Sequence, residues 1–129
     1  MIFLNQNLSV LLYEKEKILN SILQYQISNY NNYEVVILEN HEKSHHIVTN
    51  RSFDACVLNL NDFSNESQNF LDKLIIKNEN INIIAYHKPS LKKVVTNVGK
   101  LFLLEKPFKL ITLLNYLDSI KNTKTLHNS

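Results

Sequence analysis

The chain holds one glycine, one cysteine, two prolines and no tryptophan in 129 residues. With a single glycine it has no glycine-rich loop of the kind whose bare backbone cradles a phosphate. A single cysteine, Cys56, excludes a disulfide framework. Cys56 lies within an apolar run, where it reads as a small buried hydrophobe rather than a reactive thiol. No apolar run approaches the roughly 20 residues that span a bilayer. The opening Met1-Ile2-Phe3-Leu4-Asn5-Gln6-Asn7 lacks the basic region and apolar length of a secretory signal. A cytoplasmic location without membrane association is therefore expected. No nucleophile–base–orienter set is visible, so an enzyme is not expected.

What is present is an ordinary globular balance, 44% apolar and 20% charged, which can close one core but not two at this length. A single domain over residues 1–129 is expected, with its core from about 8 to 121 and a polar, frayed tail beyond. The charge is unevenly placed. Residues 1–76 carry five basic and nine acidic side chains, a net of −4. Residues 77–129 carry nine lysines against Glu79, Glu105 and Asp118, a net of +6, an asymmetry that can mark an interaction face.

Short apolar-rich runs at Leu8–Tyr13, Tyr33–Leu38, Phe53–Leu60, Ile81–Tyr86 and Leu101–Leu104 read as strands, the first buried on both faces and the third central. Between them apolar residues recur at helical spacing. Ile18, Leu19, Ile22, Leu23 and Ile27 predict a first helix that stops at Asn29-Tyr30-Asn31-Asn32. A weak polar helix follows over 42–49. Ser64 reads as the N-cap of a helix striped by Phe70, Leu71, Leu74 and Ile75. Pro89 and Ser90 open a short helix through Leu91, Val94, Val95 and Val98, closed near Gly99, and Leu110, Leu113, Leu114, Leu117 and Ile120 mark the last helix. Five alternations of strand and helix predict an α/β, doubly wound five-stranded parallel sheet covered on both faces. In that architecture function gathers at the carboxyl ends of the strands.

At those ends stand Val10-Leu11-Leu12-Tyr13-Glu14-Lys15, Phe53-Asp54-Ala55-Cys56-Val57-Leu58-Asn59, Ile81-Asn82-Ile83-Ile84-Ala85-Tyr86-His87 and Leu103-Leu104-Glu105-Lys106-Pro107-Phe108. In this order they resemble the CheY-like receiver domain of two-component response regulators, over nearly the whole chain. The resemblance implies the (βα)5 flavodoxin-like fold, with a cis peptide before Pro107. It also implies a site in which carboxylates hold magnesium while an aspartate accepts a phosphoryl group. Mapped onto this chain, Glu14 keeps one of the family's acidic pair and Lys106 its lysine. Lys15 stands for the second acid, Asn59 for the phosphoacceptor aspartate, His87 for the switch Thr or Ser, and Leu103 for the aromatic switch residue. The loop Asn61-Asp62-Phe63-Ser64 lacks the usual proline and glycine.

Exchanging a carboxylate for an ammonium beside a dication costs on the order of 10 kcal/mol, since one pair of unit charges about 4 Å apart is worth about 4 kcal/mol at a dielectric near 20. Glu14, Lys15, Asn59, His87 and Lys106 are therefore expected to form a pocket that binds no magnesium and takes no phosphoryl group. Asp54 and Asp62 remain as unconventional acceptors, with a histidine kinase as partner in that case. His41, His45 and His46 include a pair at metal-compatible i, i+4 spacing but no third ligand, so a solvated polar face is expected, and His87 is a tolerated substitute or a pH-sensitive group. The leading expectation is a stand-alone module that binds a protein. Family members usually meet partners on the fourth helix, fifth strand and fifth helix, where Lys88, Lys92, Lys93, Lys100, Lys109 and Lys121 fall. That charge suits an acidic protein surface rather than nucleic acid, for which no Arg-rich, aromatic-interleaved strip exists.

Overall fold

The computed structural model describes residues 8–29, 33–38, 46–47, 50–60, 65–78, 80–87 and 100–127. Five strands, β1 (Ser9–Tyr13), β2 (Glu34–Ile37), β3 (Ala55–Asn59), β4 (Asn82–His87) and β5 (Lys100–Glu105), form one parallel sheet. Their order is β2-β1-β3-β4-β5, so the three most apolar runs occupy the interior and β2 and β5 the edges. The burial follows: every residue of β3 is buried, whereas β5 buries only Leu104. Three described helices flank the sheet, α1 (Lys17–Asn29), α2 (Asn65–Lys77) and α3 (Leu110–His127).

Strand alternation sorts the core into two layers. Val10, Leu12, Val57 and Ile84 face one side and pack with Leu23 and Ile27 of α1 and Leu113 and Leu117 of α3. Leu11, Cys56, Leu58 and Ile83 face the other and pack with Phe70, Leu71 and Leu74 of α2. Cys56 is fully buried, which pushes its thiol pKa up to about 12 and leaves it inert at neutral pH.

Side chains close the helix ends. Glu16 caps α1, its carboxylate accepting the amides of Ile18 at 3.2 Å and Leu19 at 2.6 Å. Asn78 ends α2 by donating from Nδ2 to the Leu74 carbonyl at 3.0 Å, and its Oδ1 accepts the Phe53 amide at 2.9 Å. One residue thus stops a helix and aligns the entry to β3. Far across the sequence, the Tyr33 hydroxyl donates to Asp118 Oδ1, and Lys121 Nζ lies 5.6 Å from the Tyr33 ring centroid. The pair ties the edge of the sheet to α3. Tyr33→Phe is expected to lower stability by about 1.5 kcal/mol, the worth of a hydrogen bond to a charged group, readable in urea unfolding.

Three expectations need correction or placement. The stripe of α1 is wider than the core it meets: Leu23 and Ile27 are buried, but Ile18 is 71% and Ile22 48% exposed. The last helix extends past the expected end of the core, α3 running on to His127. Once Leu113, Leu114, Leu117 and Ile120 dock the helix, each further residue gains a hydrogen bond at the cost of fixing one residue. Of the weak helix over 42–49, only His46 and Ile47 are described, in a turn continued by Asn50. His41, His45, Asp62, the Ser64 cap and the helix over 91–98 lie outside the described residues. Among the described residues no helix is long and apolar enough to cross a membrane.

Candidate functional site

The carboxyl ends of the strands bring three side chains from distant parts of the chain onto one face. Tyr13 pairs with Leu58, and Asn59 pairs with Tyr86. Residues in register across a parallel sheet point the same way, so Glu14, one past Tyr13, sits beside Asn59 and Tyr86. All three are buried, Glu14 to 2% and Asn59 to 5% exposure.

A carboxylate at that depth requires donors, and it has them. Asn59 Nδ2 donates to Glu14 Oε1 at 2.8 Å, and the Tyr86 hydroxyl donates to the same oxygen. The Glu16 amide donates to Glu14 Oε2 at 2.8 Å. The backbone of Glu14 is held as well, its carbonyl accepting Asn20 Nδ2 at 2.8 Å. Uncharged donors thus surround the carboxylate, the Asn59 amide among them.

Lys106 meets this group through an aromatic ring. Its Nζ lies 5.2 Å from the Tyr86 ring centroid, within reach of a cation–π attraction, and the Phe108 ring is 5.2 Å from Tyr86 at 44°. The Lys106–Pro107 peptide is cis, and the Lys106 amide donates to the His87 carbonyl at 2.8 Å. The turn after β5 is thereby fastened to the end of β4.

Of the residues singled out from the sequence, Glu14 and Asn59 are joined directly, and Lys106 joins them through Tyr86. Lys15 is exposed beside the pocket. His87 is half-buried, and strand alternation turns it to the face opposite Asn59. Lys100 and Lys109 are exposed, as is Leu103; Lys88, Lys92 and Lys93 lie outside the described residues. The residue that sequence reading passed over is Tyr86. The register shows that Tyr86 shares the face of Asn59 whereas His87 does not, and a phenol needs a partner when buried.

The alternative acceptor Asp54 stands at the opposite end of the sheet. Its Oδ2 accepts the Ser9 amide at 2.9 Å, five residues before Asn59 and about 17 Å away at strand rise. Among the described residues no three His, Cys, Asp or Glu side chains gather closely enough to hold a metal ion.

No family model matches the chain, and no curated protein does. Solved structures do. A response regulator receiver protein from Sinorhizobium medicae WSM419 superposes with a TM-score of 0.74 at 17% identity, over 91% of this chain and 96% of that one. A CheY-like response regulator receiver domain protein from Methanospirillum hungatei JF-1 gives 0.73 at 15% identity, over 93% and 98%. The receiver domain of a sensor histidine kinase from Pseudomonas aeruginosa PAO1, solved with magnesium coordinated in its active-site cleft, gives 0.69 at 18% identity, over 88% and 96%. At these identities the likeness establishes the fold, a CheY-like α/β domain with sheet order 2-1-3-4-5.

Proposed function

We propose that this chain is a receiver-like signalling module that acts by binding a protein partner, without phosphoryl transfer. The observation that carries the reading is that Asn59, Tyr86 and the Glu16 amide already occupy three of the roughly four acceptor sites of the Glu14 carboxylate. A magnesium ion at Glu14 would have to compete with those donors, and on the family's pattern it would find the Asn59 amide in place of the phosphoacceptor carboxylate and Lys15 in place of the second acid. Charge-assisted hydrogen bonds are worth about 1.5–3 kcal/mol each, so their loss opposes metal entry strongly. An amide cannot form the acyl phosphate that the fold's usual chemistry requires.

On this reading the module is not an enzyme, carries no cofactor and signals through its surface. The lysine-rich half supplies that surface: Lys100 and Leu103 of edge strand β5 and Lys109 after it are exposed, and Lys88, Lys92 and Lys93 belong to the same stretch of sequence. Its partner is a protein with an acidic face.

Incubation with a small phosphoryl donor and magnesium, followed by intact mass, tests the proposal. The expected result is an unchanged mass. A mass gain of one phosphoryl group, mapped to any aspartate including Asp54 or Asp62, would overturn it in favour of phosphorelay with a histidine kinase.

A further inference from the structure

Beside the polar pocket, α1 and the turn after β5 enclose an open groove of about 500 Å³. Leu19, Ile22 and Leu23 of α1 form one wall, and Pro107, Phe108 and Leu110 form the other. The first wall follows from helix geometry, since residues three and four apart share a face. Leu23 is buried as part of the core, whereas Ile22 is 48% exposed and leaves the apolar side of the groove open to solvent. A space of this size falls within the roughly 300–1,000 Å³ of sites that hold small molecules. Along the helix it runs from Leu19 to Leu23, about 6 Å. A partner helix with anchors at i, i+3 and i+7 needs about 10 Å, so the length favours a small ligand.

One charged residue joins this apolar lining, Lys106. Its ammonium lies 5.2 Å from the Tyr86 ring centroid, and among the described residues it forms no ion pair. A ring face attracts a cation without neutralising it. The carboxylates nearby are already engaged: Glu14 accepts from Asn59 and Tyr86, and Glu16 from the amides of Ile18 and Leu19. Neither they nor Glu105 line the groove. A ligand that matches this lining has an apolar body and one negative charge. Lysine presents a compact point charge, which a single carboxylate balances; a dianionic phosphate would call for more cations or the fork of an arginine. We propose that the groove binds a small amphiphilic monocarboxylate, with its head on Lys106 Nζ and its hydrocarbon body between α1 and Phe108.

The site adjoins the buried network. Lys106 and Phe108 both pack on Tyr86, whose hydroxyl donates to Glu14. A bound carboxylate therefore stands one ring away from the buried anion, and Tyr86 registers its arrival.

Titration of the intact chain with octanoate, followed by amide-resolved NMR, tests the assignment. Saturable shifts are expected at Leu19, Leu23, Phe108 and Tyr86, with a dissociation constant on the order of 1 mM. Each fully buried methylene is worth about fourfold in affinity, so decanoate should bind at least about threefold more tightly and acetate not measurably. Lys106→Gln is expected to weaken octanoate at least about fivefold while leaving octanol within about twofold. Lys100→Gln, an equal loss of charge on edge strand β5, should change neither. Ile22→Asp, at a half-exposed position, is expected to weaken octanoate at least about tenfold by setting a carboxylate in the apolar wall. Circular dichroism confirms the folding of all three variants. Octanol bound as tightly as octanoate, equal effects of Lys106→Gln and Lys100→Gln, or shifts that never saturate would each overturn the proposal. So would octanoate that leaves the groove untouched while the same face captures a protein.

Discussion

Replacing Glu14 by alanine is expected to cost about 1.5–3 kcal/mol for each of its two buried side-chain hydrogen bonds, the worth of a bond to a charged group. The substitution removes a charge from the interior, which alone would favour folding. The donors decide the sign. The Asn59 amide, the Tyr86 hydroxyl and the Glu16 amide all converge on this carboxylate and would lose this acceptor. Each hydrogen bond lost to a charged group costs about 1.5–3 kcal/mol. Glu14→Gln should cost less, because its carbonyl still accepts from Asn59 and Tyr86 while its amide opposes the Glu16 N–H. Urea unfolding measures both. An alanine variant within about 0.5 kcal/mol of the parent would show that the network contributes nothing to stability.

Asn59→Asp carries the second large effect. It exchanges a donor 2.8 Å from Glu14 Oε1 for a second carboxylate at the same place. A lost hydrogen bond and a like-charge contact together should destabilise the fold by about 2–4 kcal/mol at neutral pH. The pH dependence gives the variant a signature. Two adjoining carboxylates raise the pKa of one of them above its unfolded value. The ionised form is then the destabilised one, so stability is lost as pH rises through the raised value and regained as it falls. Protonated, the new carboxyl can donate to Glu14 as the amide did. Stability of the variant relative to its parent should therefore improve on acidification. Two carboxylates without a third acid leave the magnesium site incomplete, so phosphoryl labelling is expected only after Lys15→Asp is added. Robust magnesium-dependent labelling of Asn59→Asp alone would contradict this.

The architecture was legible because apolar runs and helical stripes are direct imprints of burial. β1 and β3 read as interior strands from their continuous apolar sequences, and they lie inside the sheet. The relation of Glu14 to Asn59 was also open to reading, since both close a strand. Tyr86 was not, because a tyrosine inside an apolar run reads as core, and only the register shows which face it serves. The width of the α1 stripe misled for a related reason. Periodicity records which residues are apolar, but not how far around the helix the sheet reaches; Ile18 and Ile22 lie beyond that reach. The extension of α3 to His127 was hidden because polar residues carry no stripe, although a docked helix continues through them.

The bond between Tyr86 and Glu14 also bears on how β4 finds its place in the sheet. β4 is apolar on both faces, buried from Ile83 to Tyr86, so hydrophobicity alone distinguishes one alignment from the next only weakly. A slip by one residue would still bury isoleucines, but it would turn the phenol to the wrong side and leave a buried anion short of a donor. The polar pocket thus acts as a checksum on strand alignment, penalising a misregistered sheet that a greasy strand would otherwise tolerate.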